Sequence, residues 1–299
     1  MVNEKSYKVS IIPALKQSFS LVLKAKRELI ILGWLPFLLL TIFVLLDNYF
    51  SFLDYIIDYF VPFSLNLSYG VFYDFSYYLI DLILSSAFII ALYRLFIMNE
   101  KQQFYVWTFK RGIYEERKIL SVPWYFRLGK KELYLIIVYL IVGIVFCAIR
   151  QANVAVLIYN LNQMEKFQLG AYDSYIYLAL KYCIWLIEGL VLSSLIFVSP
   201  AIATAKNFRF SDIRALFLKA KGNIIRIFII GQLIFLPVFL IGQFYKLIMY
   251  FMSHMQGAVL DLTSDVYIIV YNLIFYICIA IDCAFISLIY KALDAENKA

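Results

Sequence analysis

Charged residues are scarce in this chain. Aspartate, glutamate, lysine and arginine make up 16% of its 299 residues, whereas soluble domains contain about 25%. A soluble domain covers its surface with such side chains, and this number would leave most of that surface bare. The longest polar stretch, at about 99–132, is too short to build a separate soluble domain. The composition therefore excludes a soluble protein.

Histidine is almost absent, and the motifs of several enzyme classes are missing. The one histidine, His254, cannot form a paired-histidine zinc site. The chain contains neither a Gly-x-Ser-x-Gly elbow nor a Gly-x-x-x-x-Gly-Lys phosphate loop. We therefore expect no metal, no cofactor, no bound nucleotide and no catalytic residues, and we predict that the protein is not an enzyme.

The sequence has no pattern of a cleavable signal peptide. The first apolar run starts near Leu29, and no small-x-small cleavage site follows it.

Cysteine is also sparse. All four cysteines lie in apolar runs, where a free cysteine behaves as a small hydrophobic residue. They are Cys147, Cys183, Cys278 and Cys283. We expect no disulfide framework.

Apolar residues dominate instead. They make up 64% of the chain, aromatic residues make up 19%, and the mean hydropathy is +0.83. Crossing a bilayer takes about 20 apolar residues in helical form. The runs that approach or exceed this length are 29–46, 75–98, 133–149, 175–201, 223–245 and 266–290. We predict an all-α polytopic membrane helix bundle with about six transmembrane helices, forming a single integral membrane domain over 1–299.

Basic residues are concentrated in alternate connections between these spans. They occupy the amino terminus, the connections after the second and fourth spans, and the carboxyl terminus, whereas the other connections are acidic and aromatic. Cytoplasmic loops retain lysine and arginine, so we predict an inner-membrane protein with both termini in the cytoplasm. The net charge of +7 then favours anionic inner-leaflet lipid as a partner and gives little support to nucleic acid.

The basic segments recur along the chain in a way that suggests an internal repeat. Leu23–Lys26 before the first span recurs as Leu218–Lys221 before the fifth. A three-fold repeat of helix hairpins near 1–98, 99–204 and 205–299 would account for this recurrence. Basic residues are expected at the cytoplasmic end of any span, so a shared topology explains the match equally well.

Two basic segments have the pattern of amphipathic helices at the inner membrane surface. Over 11–27, apolar residues share one face of a 3.6-residue wheel and polar residues share the other. That apolar face contains Ile11, Ile12, Leu15, Phe19, Val22 and Leu23. In the second segment, Ser211 and Asp212 are predicted to cap a helix that turns its apolar face to lipid. The candidate contacts for anionic lipid are Lys16, Lys24, Lys26, Arg27, Lys219 and Lys221.

Four ionisable residues lie inside predicted spans, and each span that returns to the cytoplasm carries a carboxylate. They are Asp81, Lys181, Glu188 and Asp282. A charge facing lipid at the centre of a span costs about 2.5–3.5 kcal/mol on insertion scales. The functional interpretation is a polar path or ion site through the bundle. The structural alternative is pairing that locks the helices together, with Asp81 and Lys181 extending to the outer interface.

Short motifs flank the spans in a distinctive order. They are Tyr93–Phe96 leaving the second span, Arg127–Glu132 entering the third, Ser199–Ala203 closing the fourth, and Arg214-Ala215 and Lys221–Asn223 before the fifth. In these motifs the chain resembles a group of uncharacterised bacterial six-span inner-membrane proteins. That group is similar to the membrane domain associated with some glycerophosphodiester phosphodiesterases. The resemblance implies fold and location, with a link to envelope or lipid homeostasis; the phosphodiesterase domain has no counterpart here.

Three functions remain open. The first is a non-enzymatic lipid-associated, envelope-associated or accessory protein, acting through its basic interfacial helices, as a homo-oligomer or with a membrane-protein partner. The second is a small transporter or channel with a path lined by Asp81, Glu188 and Asp282. The third is a lipid-processing enzyme that uses these carboxylates as acid and base, although no nucleophile or metal arrangement accompanies them.

A peptide tag fused to either terminus should stay unlabelled when intact cells meet a membrane-impermeant reagent, because both ends are predicted to face the cytoplasm. Permeabilised cells provide the positive control, since the same tags then become accessible. Labelling of either tag in intact cells would contradict the predicted orientation.

Overall fold

The computed structural model describes residues 10–50, 69–98, 104–110, 113–119, 129–145, 148, 195–204, 210–220, 222–252 and 258–295. Most elements in this part of the chain are helices. They are α1 (Ile11–Lys24), α2 (Lys26–Phe50), α3 (Tyr69–Tyr93), α4 (130–145), α5 (Val198–Thr204), α6 (Phe210–Ala220), α7 (Ile224–Ile234), α8 (Leu236–Met252) and α9 (Ala258–Ala295). A π-helical turn, Arg94–Met98, continues α3. Two strands, β1 (Phe104–Lys110) and β2 (Ile113–Ile119), complete the described elements.

Several of these helices are long and apolar enough to cross a membrane. In the described part of the chain they are Lys26–Phe50, Ser76–Met98 and Ser264–Asp294, and α7 with α8 make a fourth if the pair is one span bent by 40°. They correspond to the predicted first, second, sixth and fifth spans. The predicted third span, 133–149, is helical over its described part, and the fourth, 175–201, lies mostly outside the described residues. The helical character with several apolar spans is confirmed, while the number six and the three-fold repeat stay predictions.

The bend between α7 and α8 has a local cause in the sequence. Pro237 is the second residue of α8. Proline has no N–H to donate, and its ring clashes with the carbonyl four residues earlier in a continuous helix. The α7 helix accordingly ends at Ile234, and Phe235 forms a turn before α8 begins.

The longest helix, α9, is the centre of the described fold. It contacts α1, α2, α3 and each of α5 to α8. Its 38 residues contain neither proline nor glycine, so nothing in its sequence interrupts the helical hydrogen bonds. Bulky buried residues surround it, among them Phe197, Ile90 and Leu92, together with its own Phe285.

Small buried side chains are frequent on α3 and α9, which contact each other. On α3 the buried small residues are Ser85, Ser86, Ala87 and Ala91, and on α9 they are Cys278, Ala280, Cys283 and Ala284. Lipid tails are as apolar as leucine, so helices in a bilayer associate through this kind of close packing. Cys278 and Cys283 are free and buried, which agrees with their prediction as small hydrophobic residues. Cys147 and Cys183 lie outside the described residues.

Two glycines allow aromatic rings of α3 to pack directly against a neighbouring helix. A Cβ atom at Gly33 of α2 would lie 3.0 Å from the ring of Phe88. At Gly143 of α4 it would lie 2.5 Å from the ring of Tyr78. Both distances are shorter than an ordinary van der Waals contact, so a larger residue would push the rings away. These glycines therefore fix how closely α2 and α4 approach α3.

The amphipathic helix α1 has three faces, whereas two were predicted. Ile11, Leu15 and Val22 pack on the core of the protein. Ile12 and Leu23 belong to the same predicted face, yet they are 76% and 71% exposed. The reason is that one edge of the apolar face packs on α9, and the other edge is left for lipid. The polar side remains exposed as predicted.

The second predicted amphipathic helix is α6. It begins at Phe210, so Ser211 and Asp212 lie in its first turn and not at the N-cap position. Ile213 and Leu216 are buried in the protein core, so this apolar face does not turn to lipid as predicted. Arg214 on the opposite side is exposed.

A short hairpin of β1 and β2 accompanies the predicted helices. The strands pair antiparallel, from Phe104 opposite Ile119 to Lys110 opposite Ile113, inside the polar segment 99–132. The tyrosine, valine, tryptophan, threonine and phenylalanine of β1 favour strands. A search for apolar runs of about 20 residues does not detect a strand of seven residues.

Candidate functional site

The carboxylate of Asp81 is linked by polar contacts to α3 and, through Ser85, to α9. It lies on α3 and accepts a 2.9 Å hydrogen bond on Oδ1 from Ser85 Oγ, one helical turn away. Ser85 Oγ also lies 3.3 Å from the hydroxyl of Tyr276 on α9. Of the other predicted path residues, Asp282 is described, and Lys181 and Glu188 lie outside the described residues.

Asp81 borders a cavity between α2, α3 and α9. The cavity has a volume of about 330 Å³, at the lower end of the range of about 300–1,000 Å³ for ligand sites. Its lining consists of Asp81, Asn272, Tyr77, Tyr78, Tyr267, Tyr271, Phe275, Leu40, Val44 and Ile268. The cavity has room for a small molecule, to which it presents one carboxylate and several aromatic rings. We call it the tyrosine cavity.

Hydrogen bonds and ring stacking hold the walls of the tyrosine cavity in place. The Tyr78 hydroxyl donates to the carbonyl oxygen of Tyr139 at 2.8 Å. Asn272 Nδ2 donates to Thr41 Oγ1 at 3.2 Å. Tyr267 stacks on a tyrosine of α8, with the ring centroids 3.8 Å apart. These contacts involve α2, α4, α8 and α9, so the cavity depends on the packed bundle and not on one helix.

Asp282 lies in different surroundings on α9. Its Oδ1 is 3.3 Å from the position of a Cβ atom at Gly231 of α7, so α7 passes close to the carboxylate. Tyr93, Tyr139 and Cys283 lie within electrostatic range of it. The absence of a side chain at Gly231 therefore makes room for Asp282 between the helices.

The structure does not bring Asp81 and Asp282 together. Ser85, the partner of Asp81, and Tyr93, the neighbour of Asp282, are eight residues apart on α3, which corresponds to about 12 Å along a helix. The carboxylates thus occupy two depths with separate partners. Among the described residues, no group of three or more histidine, cysteine, aspartate or glutamate side chains is placed to hold a metal ion.

The predicted anionic-lipid contacts differ in accessibility. Lys16, Lys24, Lys26 and Arg27 are exposed on α1 and the start of α2, and we call them the basic cluster. Lys219 on α6 is half-buried, and Lys221 lies outside the described residues. The exposed basic side chains among these candidates are therefore concentrated on α1 and the start of α2.

A second cavity opens beside the basic cluster. It has a volume of about 260 Å³ and an almost entirely apolar lining from α1, α2, α3 and α9, which includes Val22 and Ile30. These two residues flank 24–27 in the chain, so the cavity begins at the level of the basic residues. Tyr276 belongs to its wall and packs against Phe88, with the ring centroids 5.3 Å apart. We call this space the apolar cavity.

A buried ion pair at the end of α3 was not among the predicted site residues. Glu132 is 1% exposed, and its Oε1 lies 3.5 Å from an Arg94 guanidinium nitrogen. The backbone N–H of Gly129 donates to Glu132 Oε2 at 3.0 Å, which satisfies an amide at the start of α4. The neighbouring Lys131 donates to the carbonyl oxygen of Ala203 at 2.7 Å. Together these contacts join α3, α4 and α5.

The sequence contained a signal for only half of this arrangement. In a capping interaction, a carboxylate at the third helical residue accepts from the backbone N–H of the residue just before the helix. Glu132 and Gly129 have this spacing at the start of α4. Arg94 belonged to a group of basic residues that indicates membrane orientation. Their pairing across two helices has no signature in local sequence.

Replacing Glu132 by glutamine should lower the free energy of unfolding by about 3 kcal/mol, because the Arg94 guanidinium loses a buried charged partner. Unfolding of the purified protein in detergent micelles measures the change. Glu28→Gln is the matched control, since Glu28 is only half-buried on α2, and we expect it to change stability by less than about 0.5 kcal/mol.

The double variant Arg94→Gln with Glu132→Gln separates the pair from other effects of Glu132. We expect the double variant to lose less free energy of unfolding than the two single variants lose in sum, because both charges are removed together. Strict additivity would show that the two side chains do not stabilise each other.

Comparison with protein-family models, curated proteins and solved structures finds no match to this chain. The resemblance to bacterial six-span inner-membrane proteins therefore stays a prediction from short motifs. Any functional proposal has to rest on the geometry of the described residues.

Proposed function

We propose that this chain is a multi-pass inner-membrane protein with six spans and cytoplasmic termini, and that its role is non-enzymatic and lipid- or envelope-associated. The apolar helices α2, α3 and α9 support the location, and the distribution of lysine and arginine supports the orientation. The separation of Asp81 and Asp282 argues against an acid–base pair, because both groups would have to reach the same reacting bond.

The observation that carries the lipid role is the position of the basic cluster beside the apolar cavity. An anionic phospholipid has a negative headgroup at the membrane surface and acyl chains below it. The exposed side chains of Lys24, Lys26 and Arg27 match the headgroup, and the apolar cavity next to them matches part of an acyl chain. The exposed Ile12 and Leu23 add apolar surface at the same level.

The proposed partners are lipids of the anionic inner leaflet, together with a second copy of the chain or another membrane protein. Large apolar side chains remain exposed along α7 and α8, including Ile225, Leu233 and Phe239. Lipid covers such side chains in a bilayer, and the same surface can pack against another helix. The proposal includes no nucleic acid and no nucleotide.

Neutralising the basic cluster should weaken the preference for anionic lipid. In the variant Lys16→Gln, Lys24→Gln, Lys26→Gln and Arg27→Gln, we expect each lost charge to remove about 1 kcal/mol of attraction at the membrane surface. Native mass spectrometry of the protein released from nanodiscs with equal phosphatidylglycerol and phosphatidylcholine measures the ratio of the two bound lipids.

A charge-conserving variant provides the control. Lys16→Arg, Lys24→Arg, Lys26→Arg and Arg27→Lys retains all four charges, so the ratio of bound lipids should equal that of the unchanged protein. If the glutamine variant retains the original ratio as well, the basic cluster does not select lipid and the proposal fails.

A second candidate function, a small transporter or channel, is favoured by the tyrosine cavity at Asp81. A carboxylate within a span that borders a cavity is a typical feature of ion and substrate paths. Asp282 would then serve as a second polar position, about 12 Å further along the bundle. Glu188 and Lys181 are included in the proposed path because both lie in the predicted fourth span.

Proton flux into proteoliposomes, reported by an entrapped pH-sensitive dye, tests this candidate. We expect Asp81→Asn, Glu188→Gln and Asp282→Asn each to reduce flux about tenfold or more, because each removes a charge from the proposed path. Asp294→Asn near the end of α9 is the control and should retain flux. Undiminished flux in the triple variant would exclude a path through these carboxylates.

A further inference from the structure

The tyrosine cavity has a carboxylate and no basic residue in its described lining. Asp81 is the ionisable carboxylate there, and the described lining contains no lysine or arginine. Ser85 contacts one of its oxygens, Oδ1. A carboxylate within a span is costly unless a cation or strong hydrogen-bond donors compensate its charge. A hydroxyl compensates only part of that charge, so the cavity favours a positively charged occupant.

The walls of the cavity favour the same kind of occupant. Tyr77, Tyr78, Tyr267 and Tyr271 lie around Asp81. The face of an aromatic ring is negative, and a cation within about 6 Å of the ring centroid is attracted to it. The rings of Tyr267 and Tyr271 are held with their centroids 5.6 Å apart. Several aromatic rings and one carboxylate thus line one small space.

The composition of the lining also selects among cations. A hard metal cation requires about six oxygen ligands at short distance, whereas this lining consists mainly of rings and aliphatic side chains. An organic ammonium ion has apolar substituents that rings can contact and one charge that Asp81 can neutralise. The volume of about 330 Å³ limits the occupant to a small molecule or headgroup fragment.

We propose that the tyrosine cavity binds a small organic monocation, with Asp81 as the counter-ion and the rings of Tyr267 and Tyr271 as cation–π partners. This inference adds a ligand class to the second candidate function, with which it shares Asp81. It does not require transport, and it uses no residue of the basic cluster.

Choline is the probe. We expect the full chain, in nanodiscs of phosphatidylglycerol, to bind radiolabelled choline saturably at one site per chain. The uncharged isostere, in which carbon replaces the choline nitrogen, should compete at least about tenfold more weakly, because it fills the same volume without the charge. Equal competition by the isostere would overturn the proposal in favour of a purely apolar cavity.

Two substitutions of one tyrosine separate ring attraction from hydroxyl bonding. Tyr271→Phe retains the ring face and should bind choline nearly as the unchanged protein does. Tyr271→Leu removes it and should raise the Kd about threefold to thirtyfold. If both variants lose binding equally, the hydroxyl and not the ring face is the important group, and the cation–π assignment is wrong.

Two charge variants test the counter-ion. Asp81→Asn should raise the Kd for choline about tenfold or more, because a desolvated cation loses its charged partner. Asp294→Asn makes the same change on α9, outside both the cavity and the proposed path, and should leave the Kd unchanged. Equal loss in both variants would indicate a general disturbance of the bundle and would contradict a site at Asp81.

Two alternative partners of Asp81 would contradict the proposal. The first is the side chain of Lys181, in the predicted fourth span and outside the described residues. If Lys181 neutralises Asp81, Lys181→Met should strengthen choline binding, whereas the proposal expects no change. The second is an inorganic cation, and displacement of choline by millimolar sodium would indicate such a site and overturn the proposal.

The binding and flux measurements test the two proposals separately. Choline binding without Asp81-dependent proton flux would support the cation site and exclude the transport function. Asp81-dependent proton flux in a protein that does not bind choline would support transport and exclude the cation site.

Discussion

The packing of the long helix α9 against the surrounding helices is the constraint on which the described bundle depends. Small buried residues occur on α9 and on its neighbour α3, with Ala280 and Ala284 on the first and Ser85, Ala87 and Ala91 on the second. Because lipid competes equally for apolar side chains, van der Waals packing and hydrogen bonds between the helices have to hold them together. Asp81 lies on α3 and Asp282 on α9, so the same packing that holds the bundle also determines what surrounds each carboxylate.

Asp81 and Asp282 lie next to different helices. Asp81 is on the side of α2, where tyrosine and aliphatic side chains line a cavity. Its hydrogen-bond partner Ser85 also contacts Tyr276 of α9. Asp282 is on the side of α7, where Gly231 makes room for it. The ring of Tyr276 also forms part of the apolar cavity. Tyr276 therefore lines the apolar cavity and is linked through Ser85 to the carboxylate of the tyrosine cavity. Because one cavity has this carboxylate and the other is almost entirely apolar, two different ligand classes are proposed.

Sequence reasoning succeeded where the physical signal is local. The apolar runs at 29–46, 75–98 and 266–290 correspond to helices long and apolar enough to cross a membrane, because chain length and hydropathy alone specify such a helix in lipid. Periodicity also located the amphipathic helices α1 and α6. It failed to divide the apolar face of α1 between α9 and lipid, since both environments are apolar and select the same residue types. The seven-residue strands of the hairpin carried too short a signal for the same approach.

The apolar helices of the chain and its candidate polar residues were determined by the sequence itself, through composition, run length and charge distribution. Only the tertiary structure decided which of those residues meet. Ser85 and Tyr276, 191 positions apart, together connect Asp81 to α9, and Arg94 reaches Glu132 across two helices. Hydropathy and periodicity describe neighbours along one helix. Contacts between helices depend on the volumes and shapes of all the side chains in the interface, so the tyrosine cavity and the buried ion pair became evident only when the helices were packed together.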